Sequence, residues 1–268
     1  MRTMRLTGSL LACNCGRRYP VIDGIPVVLR DVAGWAESEG PSALARPGLD
    51  PGLTELVAVD AASRRNRKLV QVYACMPTSP LRAWLAEFVA SAPGPVVELG
   101  SGVGHPGTVR ADLNLSLLRA GGPVPPLVES PDGVALLPGG AVVADAGDPP
   151  FLAESFKTVL LVNVLDSCAD PALALAQADA LVARGGELVV TCAFAFDDGI
   201  TPPERQFSER TLENALAHGH AFGAWAPSCT LTEPPVDLEW RLAVGPRTEH
   251  VHRVRVYRAR RRRDHPIG

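Results

Sequence analysis

The sequence has no long apolar run and no large excess of charge of one sign, and each absence narrows the function. No stretch approaches the roughly 20 apolar residues that a membrane-spanning helix needs, so we expect a soluble protein with no membrane partner. The formal net charge of the 268 residues is −3, which gives no field that would gather nucleic acid. Nucleic acid is therefore not an expected partner, and small molecules are.

The sequence also lacks a disulfide framework and a regular export signal. Its six cysteines are scattered, unlike the spacing of a small disulfide-bonded domain. Residues 10–13, Leu-Leu-Ala-Cys, could be mistaken for a lipoprotein cleavage site. However, Thr7, Gly8 and Ser9 interrupt the apolar segment, which stays below the minimum of about 7 residues for a signal core. We expect a cytoplasmic protein.

The most informative stretch is residues 95–104, Pro-Val-Val-Glu-Leu-Gly-Ser-Gly-Val-Gly. Val96 and Val97 predict a buried parallel strand, and the glycines predict a loop leaving its carboxyl end. Open α/β sheets bind ligands at that edge, and glycine lets the backbone approach a ligand closely. Taken alone, the pattern fits an ordinary strand-to-helix turn equally well.

Further strands follow, and polar side chains stand at several of their ends. Residues 141–145, 158–163 and 187–191 are runs of mostly Val, Leu and Ala, typical of strands covered on both faces. Residues 251–257 alternate apolar and polar side chains, as a last strand with one exposed face does. Asp170 predicts the N-cap of a helix between the fourth and fifth strands. Such alternation of strands and helices predicts a doubly wound α/β sheet.

In order and content, these blocks resemble class I S-adenosylmethionine-dependent methyltransferases of the type 11 kind, whose first motif is an acid followed by G-x-G-x-G. The resemblance implies a mostly parallel, seven-stranded Rossmann-like sheet. It also implies transfer of a methyl group from S-adenosyl-L-methionine to a small-molecule acceptor by positioned in-line displacement. The implied cofactor-binding residues are Glu98, Gly100, Gly102, Gly104, Asp112, Leu113, Asp145, Ala146 and Asn163.

Within that set, the resemblance implies separate roles for three acids. The Glu98 block would face the methionine part of the cofactor, Asp112 the ribose hydroxyls and Asp145 the adenine amine. Asn163 ends the fourth strand, where it would line the pocket or cap the next helix. No motif marks a catalytic acid or base, so the catalytic residues stay unassigned.

One connection departs from the family pattern. Only residues 105–111 separate Gly104 from Asp112, whereas a parallel crossover normally needs a dozen or more residues. We expect the first crossover helix to be absent, and the helices predicted within residues 53–92, or a second copy in a homodimer, to cover the strands. The alternative function is a degenerate methyltransferase fold that acts as a partner or scaffold without catalysis. A dinucleotide oxidoreductase is disfavoured because the third glycine of G-x-G-x-x-G is missing.

The N-terminal segment, residues 1–32, predicts a small β-hairpin that turns at Asp23-Gly24. Around Cys13-x-Cys15-Gly it resembles the second half of zinc-ribbon modules that precede or activate some methyltransferases. Two cysteines cannot complete a tetrahedral zinc site, so we expect no metal in this remnant. Residues 33–52 then predict a linker, 53–258 the methyltransferase domain, and 259–268 a solvated basic tail.

Overall fold

The computed structural model describes residues 4–7, 10–38, 79–130, 133–223, 225–245 and 247–262. Its strands are β1 (Met4–Thr7), β2 (Leu10–Cys13), β3 (Arg18–Ile22), β4 (Ile25–Pro26), β5 (Val96–Leu99), β6 (Val109–Asp112), β7 (Val128–Ser130), β8 (Gly133–Ala135), β9 (Ala141–Val143), β10 (Phe156–Val162), β11 (Val182–Cys192), β12 (Cys229–Leu231), β13 (Val236–Gly245) and β14 (Thr248–Arg261). Its α-helices are α1 (Val32–Ser38), α2 (Pro80–Ser91), α3 (Leu115–Ala120), α4 (Pro171–Leu181) and α5 (Glu209–His218).

The central sheet has the strand order β12-β14-β11-β10-β5-β6-β9, with β13 paired to β14. Strands β9, β6, β5, β10 and β11 run parallel to one another, and β14 is antiparallel to its neighbours. The predicted α/β fold with a mostly parallel sheet is therefore confirmed. Among the described residues this sheet has eight strands, one more than the resemblance implies, and its edge strand β12 pairs with the end of β14.

Helices pack on both faces of this sheet. On one face, α4 and α5 bury Leu175 and Leu216 against alternate residues of the parallel strands, such as Val97. On the other face, α2 packs Leu81 and Leu85 against β5, β10, β11 and β14. Helix α3 covers β9 on that same face. The glycine loop lies between α2 and α3, where the first crossover helix is absent as predicted: residues 100–108 contain no helix.

The N-terminal hairpin is confirmed as part of a four-stranded antiparallel sheet, β1-β2-β3-β4. Its turn at Asp23 and Gly24 takes positive φ at both residues, 57° and 78°, as a tight two-residue hairpin turn requires. The small sheet joins the large one where the Val28 N–H donates to the Val143 carbonyl oxygen at 2.8 Å. The appendage thus lies against the β9 edge.

Several predicted boundaries shift. Helix α1 forms where the sequence predicts the start of the linker, while residues 39–78, with the rest of the linker and the first predicted helix, lie outside the described residues. Strand β14 continues to Arg261, so the first part of the predicted tail belongs to the sheet. None of the described helices is long and apolar enough to cross a membrane.

The zinc-ribbon resemblance of the N-terminal sheet is not supported by a metal-binding cluster. Cys13 and Cys15 bring their Sγ atoms to 2.8 Å from each other. Across the described residues, no group of three or more His, Cys, Asp or Glu side chains could hold a metal ion. The expected absence of a structural metal stays a prediction.

Candidate functional site

Three adjacent parallel strands leave the sheet through residues in the left-handed conformation. These are Gly100 after β5 (φ 63°), Asn163 after β10 (φ 51°) and Phe194 after β11 (φ 55°). A Cβ on Gly100 would lie 2.3 Å from Cγ2 of Val164, so glycine is required there by both conformation and space. Sparsely populated backbone conformations concentrate at functional sites, and here they mark the carboxyl edge of β5, β10 and β11.

Glu98 points to the face of the sheet that lacks a crossover helix. Its side chain is 3% exposed, and its Oε2 accepts a hydrogen bond from the backbone N–H of His105 at 3.1 Å. Both carboxylate oxygens lie 3.2 Å from Nδ1 of His105. Glu98 therefore holds the end of the glycine loop through a single histidine.

Arg110 is a buried charged residue of β6, the strand that follows the glycine loop. It faces Glu98 across the parallel pair β5–β6 and is 3% exposed. Its guanidinium donates to the carbonyl oxygens of Leu118 at 2.9 Å, Gly139 at 3.2 Å and Val103 at 3.4 Å. Burial lowers the pKa of this guanidinium, and the Glu98 charge opposes the shift. A buried arginine thus ties the glycine loop to α3 and to the turn before β9.

A first cavity, the glycine-loop cavity, has a volume of about 70 Å³. Helix α2, strand β13, the glycine loop and the end of β10 contribute its walls. Its lining residues are Leu81, Arg82, Leu85, Glu98, Gly100, Ser101, Gly102, Val103, Gly104, His105, Val162, Asn163 and Trp240. Five of the predicted cofactor-binding residues therefore meet in it.

A second cavity, the Asp145 cavity, has a volume of about 530 Å³ and lies at the ends of β6 and β9. Its lining residues are Val28, Leu29, Arg30, Asp31, Gly34, Trp35, Leu113, Asp145, Gly147, Asp148 and Leu173. The Asp145 Oδ1 accepts from the Gly147 N–H at 2.8 Å. Trp35 Nε1 donates to the Leu113 carbonyl oxygen at 2.9 Å, so the N-terminal segment forms one wall.

Two predicted site residues line neither cavity. Asp112 ends β6, where its Oδ2 accepts from the Gly102 N–H and its Oδ1 from the Asn114 N–H, each at 2.7 Å. It connects the glycine loop to the start of α3. Ala146 packs against the main hydrophobic core.

Asn163 lines the glycine-loop cavity, and its own hydrogen bonds fix its position. The Asn163 N–H donates to Thr191 Oγ1 at 3.0 Å, and the Asn163 Oδ1 accepts from that hydroxyl at 2.8 Å. Since Thr191 belongs to β11, this pair ties the ends of two neighbouring strands together.

Sequence reasoning missed Arg110 and Trp35, and it named His105 only as one of five histidines that could act as a general base, none of them marked by a motif. His105 directly follows the last glycine of the motif, and that position is the one signal that could have singled it out from the other histidines. Arg110 lies between Val109 and Ala111 in β6, opposite Glu98, and the sequence around it gives no signal that its charge is buried. Trp35 falls in the predicted linker, and its sequence context carries no comparable signal.

Comparisons with known proteins give one family match and a set of similar solved structures. A family model described as a methyltransferase domain matches residues 129–190. This match confirms the resemblance to class I methyltransferases, and it includes Asp145 and Asn163 but not the glycine loop. No curated protein matches the chain.

Three solved structures illustrate the similarity. One belongs to a protein described in connection with the conversion of a disulfide bond into a thioacetal group during echinomycin biosynthesis. It is 17% identical to this chain, with a TM-score of 0.46, and the alignment covers 70% of this chain and 84% of that chain. An S-adenosylmethionine-dependent methyltransferase of Methanosarcina mazei is 14% identical with a TM-score of 0.42, covering 63% and 92%. The 1,6-didemethyltoxoflavin-N1-methyltransferase of Burkholderia thailandensis is 17% identical with a TM-score of 0.40, covering 77% and 92%.

Proposed function

We infer that this protein is an S-adenosylmethionine-dependent methyltransferase that acts on a small molecule. The observation that carries the proposal is the pair of cavities at the carboxyl edge of the sheet. The smaller has Glu98, His105 and Arg82 in its lining. The larger has apolar side chains such as Leu113 and Trp35 in its lining, together with Arg30 and the acids Asp31, Asp145 and Asp148. Asp112 lies at the carboxyl end of β6, bonded to Gly102 of the smaller cavity's lining.

The residues present fit the two ends of S-adenosylmethionine. Leu113 and Trp35 would hold a flat apolar ring in the Asp145 cavity, and Asp145 would accept from an exocyclic amine. Asp112, at the carboxyl end of β6, would accept from the ribose hydroxyls, because a carboxylate suits paired hydroxyl donors. The charged lining of the glycine-loop cavity suits an amino-acid group. The bound cofactor would supply an electrophilic methyl group.

The chain itself would then position the methyl acceptor against the cofactor and exclude water from the site. Holding the acceptor nucleophile in line with the methyl carbon can supply a large part of the rate without a dedicated acid or base. Helix α2 and Trp240 form part of the wall of the glycine-loop cavity. The net charge of −3 favours a small-molecule acceptor over nucleic acid.

The alternative is a methyltransferase fold that serves as a partner or scaffold without catalysis. Two observations favour it: the glycine loop lacks the helix N-terminus that normally offers oriented N–H groups, and the Gly102 N–H is bonded to Asp112. That N–H is therefore not available to a ligand unless the Asp112 carboxylate moves.

Calorimetric titration with S-adenosylmethionine and S-adenosylhomocysteine separates the two candidates. The wild type should bind both, and Asp112→Ala and Asp145→Ala should each weaken binding roughly ten- to a hundredfold, because a charged acceptor of the ligand is lost. Asp197→Ala is a matched control, since Asp197 accepts from Gly199 N–H at 2.8 Å much as Asp145 accepts from Gly147, yet lines neither cavity.

No binding to the wild type would support the scaffold alternative, and unchanged affinity in both aspartate variants would remove the site assignment. The acceptor class is checked separately. Formation of S-adenosylhomocysteine should be stimulated by a small-molecule extract and not by protein or nucleic-acid fractions.

A further inference from the structure

The connection from β9 to β10 supplies no helix to cover the neighbouring strands. Residues 144–155 contain no helix, and the N-terminal sheet and the β7–β8 hairpin lie beside β6 and β9 instead. Leu11 of β2 is 2% exposed, and Leu127 and Val134 pack against the small hydrophobic cluster that contains it. Val28 packs against both this cluster and the main core. Two apolar clusters therefore meet next to the sheet.

A cavity with a volume of about 320 Å³, the apolar cavity, remains between these two clusters. Leu11 and Val134 line it from the small cluster, and Val109 and Val142 line it from the sheet. Pro95, the residue before β5, also lines it, so the cavity reaches the amino edge of the sheet. The two cavities of the candidate site lie at the carboxyl edge. The apolar cavity is therefore a separate place on the molecule.

The lining of the apolar cavity restricts the ligands that it can bind. Its described lining contains no charged side chain, and Ser155 carries the one hydroxyl group there. That hydroxyl donates to the Leu152 carbonyl oxygen at 2.6 Å. The described linings of the other two cavities, in contrast, contain arginine and acidic side chains. Because burial of a charge without a partner is costly and apolar surface leaves water favourably, the apolar cavity suits an uncharged apolar ligand.

The apolar cavity has an opening and aromatic walls that fit a small ring compound. Leu152 lines it and is 47% exposed, so the cavity reaches the surface there. The rings of Phe151 and Phe156, both in the lining, meet edge to face with their centroids 5.1 Å apart, and aromatic rings favour edge-to-face or offset contacts with further rings. The volume lies within the range of small-molecule sites, roughly 300–1,000 Å³. We propose that this cavity binds an uncharged apolar ring compound, independently of the proposed methyl transfer.

The first test uses two probes that differ by one carboxylate, naphthalene and 2-naphthoate, with calorimetry as the readout. The wild type should bind one naphthalene per chain, with a dissociation constant on the order of 10–100 µM. It should bind 2-naphthoate at least about tenfold more weakly, because the carboxylate would be buried without a partner. Absence of naphthalene binding, or equal affinity for the two probes, would overturn the proposal.

A competition experiment separates the apolar cavity from the Asp145 cavity, which also has apolar side chains in its lining. An excess of adenosine should leave the affinity for naphthalene unchanged. Displacement of naphthalene by adenosine would assign the naphthalene to the Asp145 cavity and overturn the proposal. Since the probes include no methyl donor and no product of methyl transfer, failure of naphthalene binding leaves the methyltransferase proposal as it stands.

The second test places a charge at the opening, in the variant Leu152→Asp. This variant should bind naphthalene at least about tenfold more weakly than the wild type, because a carboxylate replaces apolar contacts of the ligand. Ile200→Asp is the matched control, since Ile200 is 46% exposed and lines none of the three cavities. Unchanged affinity in Leu152→Asp, or the same loss in both variants, would contradict the proposed site.

Light scattering tests whether a second copy of the chain covers the same surface. If the wild type is a dimer that Leu152→Asp dissociates, and naphthalene does not bind to it, the occupant is the second copy and the proposal is wrong. A wild type that binds naphthalene without a change in its oligomeric state supports the proposal.

A measurement on the unmodified protein covers the case in which a variant does not fold. In methyl spectra, naphthalene should shift the signals of Val109 and Val142, which line the apolar cavity. It should leave the signals of Leu113 and Leu173, which line the Asp145 cavity, in place. Shifts confined to the two leucines would contradict the proposal.

Discussion

Two connections between neighbouring parallel strands of this protein differ in the side chains that they bury against the sheet. Between β10 and β11 the chain forms α4, capped by Asp170, whose side chain accepts from the Leu173 N–H. This helix buries Leu175 and Leu181 against the sheet. Between β5 and β6 no helix forms, and the corresponding space holds Arg110, Glu98 and His105, all nine-tenths buried or more.

These two connections should respond differently to substitution. Apolar burial is non-directional and roughly proportional to area, so the α4 side can adjust to small losses. A buried polar network depends on every partner, and removing one group leaves the others unsatisfied in a medium of low dielectric constant. The glycine loop is therefore held by a few specific hydrogen bonds, and we expect single substitutions there to have large effects.

The largest effect is expected for Arg110→Met, which keeps most of the aliphatic stem and removes the guanidinium. Three carbonyl oxygens lose a donor and Glu98 loses its buried counter-charge, so the free energy of unfolding should fall by about 3–5 kcal/mol. Urea denaturation measures the change. Arg253→Met is the control, because Arg253 is 81% exposed in its pair with Asp237 and should cost at most about 1 kcal/mol. Equal losses in the two variants would contradict the role given to Arg110.

A smaller effect is expected for Gly100→Ala, compared with Gly107→Ala in the same connection. Both glycines have positive φ, 63° and 84°, but an added Cβ meets Val164 at 2.3 Å in the first case and nothing within 4 Å in the second. Left-handed strain costs about 1–2 kcal/mol in either variant, and overpacking adds roughly 1–2 kcal/mol at Gly100. Thermal or urea unfolding should therefore rank Gly100→Ala as the less stable. The same loss at both sites would show that the Val164 contact relaxes freely.

The sequence predicts the parallel strands and α4 well because local signals dominate there. The runs of Val and Leu identify β5, β10 and β11, and Asp170 with Pro171 identifies the start of α4. The network around Arg110 escapes such reasoning, since an arginine in a strand normally predicts an exposed position and its burial depends on contacts from α3 and a distant turn.

In the candidate site, too, the contacts between distant segments could not be predicted from the sequence. The acids at successive strand ends were predicted to act together, and they do lie at one edge. Asp112, however, is bonded to two backbone N–H groups, and Asp145 opens into a different cavity from Glu98. These separations depend on how the N-terminal segment and α2 pack, which strand patterns do not encode.

The smallest effect is expected for Trp35→Phe, a substitution in helix α1 of the N-terminal segment. Trp35 of α1 is 7% exposed and packs against Leu115 and Leu118, while its Nε1 donates to the Leu113 carbonyl oxygen. Trp35→Phe keeps an aromatic ring and removes this donor, so the free energy of unfolding should fall by about 1 kcal/mol. Because Leu113 lines the Asp145 cavity, affinity for adenosine, used alone as the probe, should also fall severalfold.

Trp84→Phe separates this local effect from a general loss of indole. Trp84 stacks on Phe88 within α2 at a ring-centroid distance of 5.3 Å and lines neither the glycine-loop cavity nor the Asp145 cavity. Its substitution should leave adenosine affinity unchanged in calorimetry. If both tryptophan variants weaken adenosine binding alike, α1 is not a wall of the ligand site, and the Asp145 cavity must be completed by something other than the hydrogen bond from Trp35. If only Trp35→Phe does so, the N-terminal segment takes part in binding, because the strand connection beside it supplies no helix for that purpose.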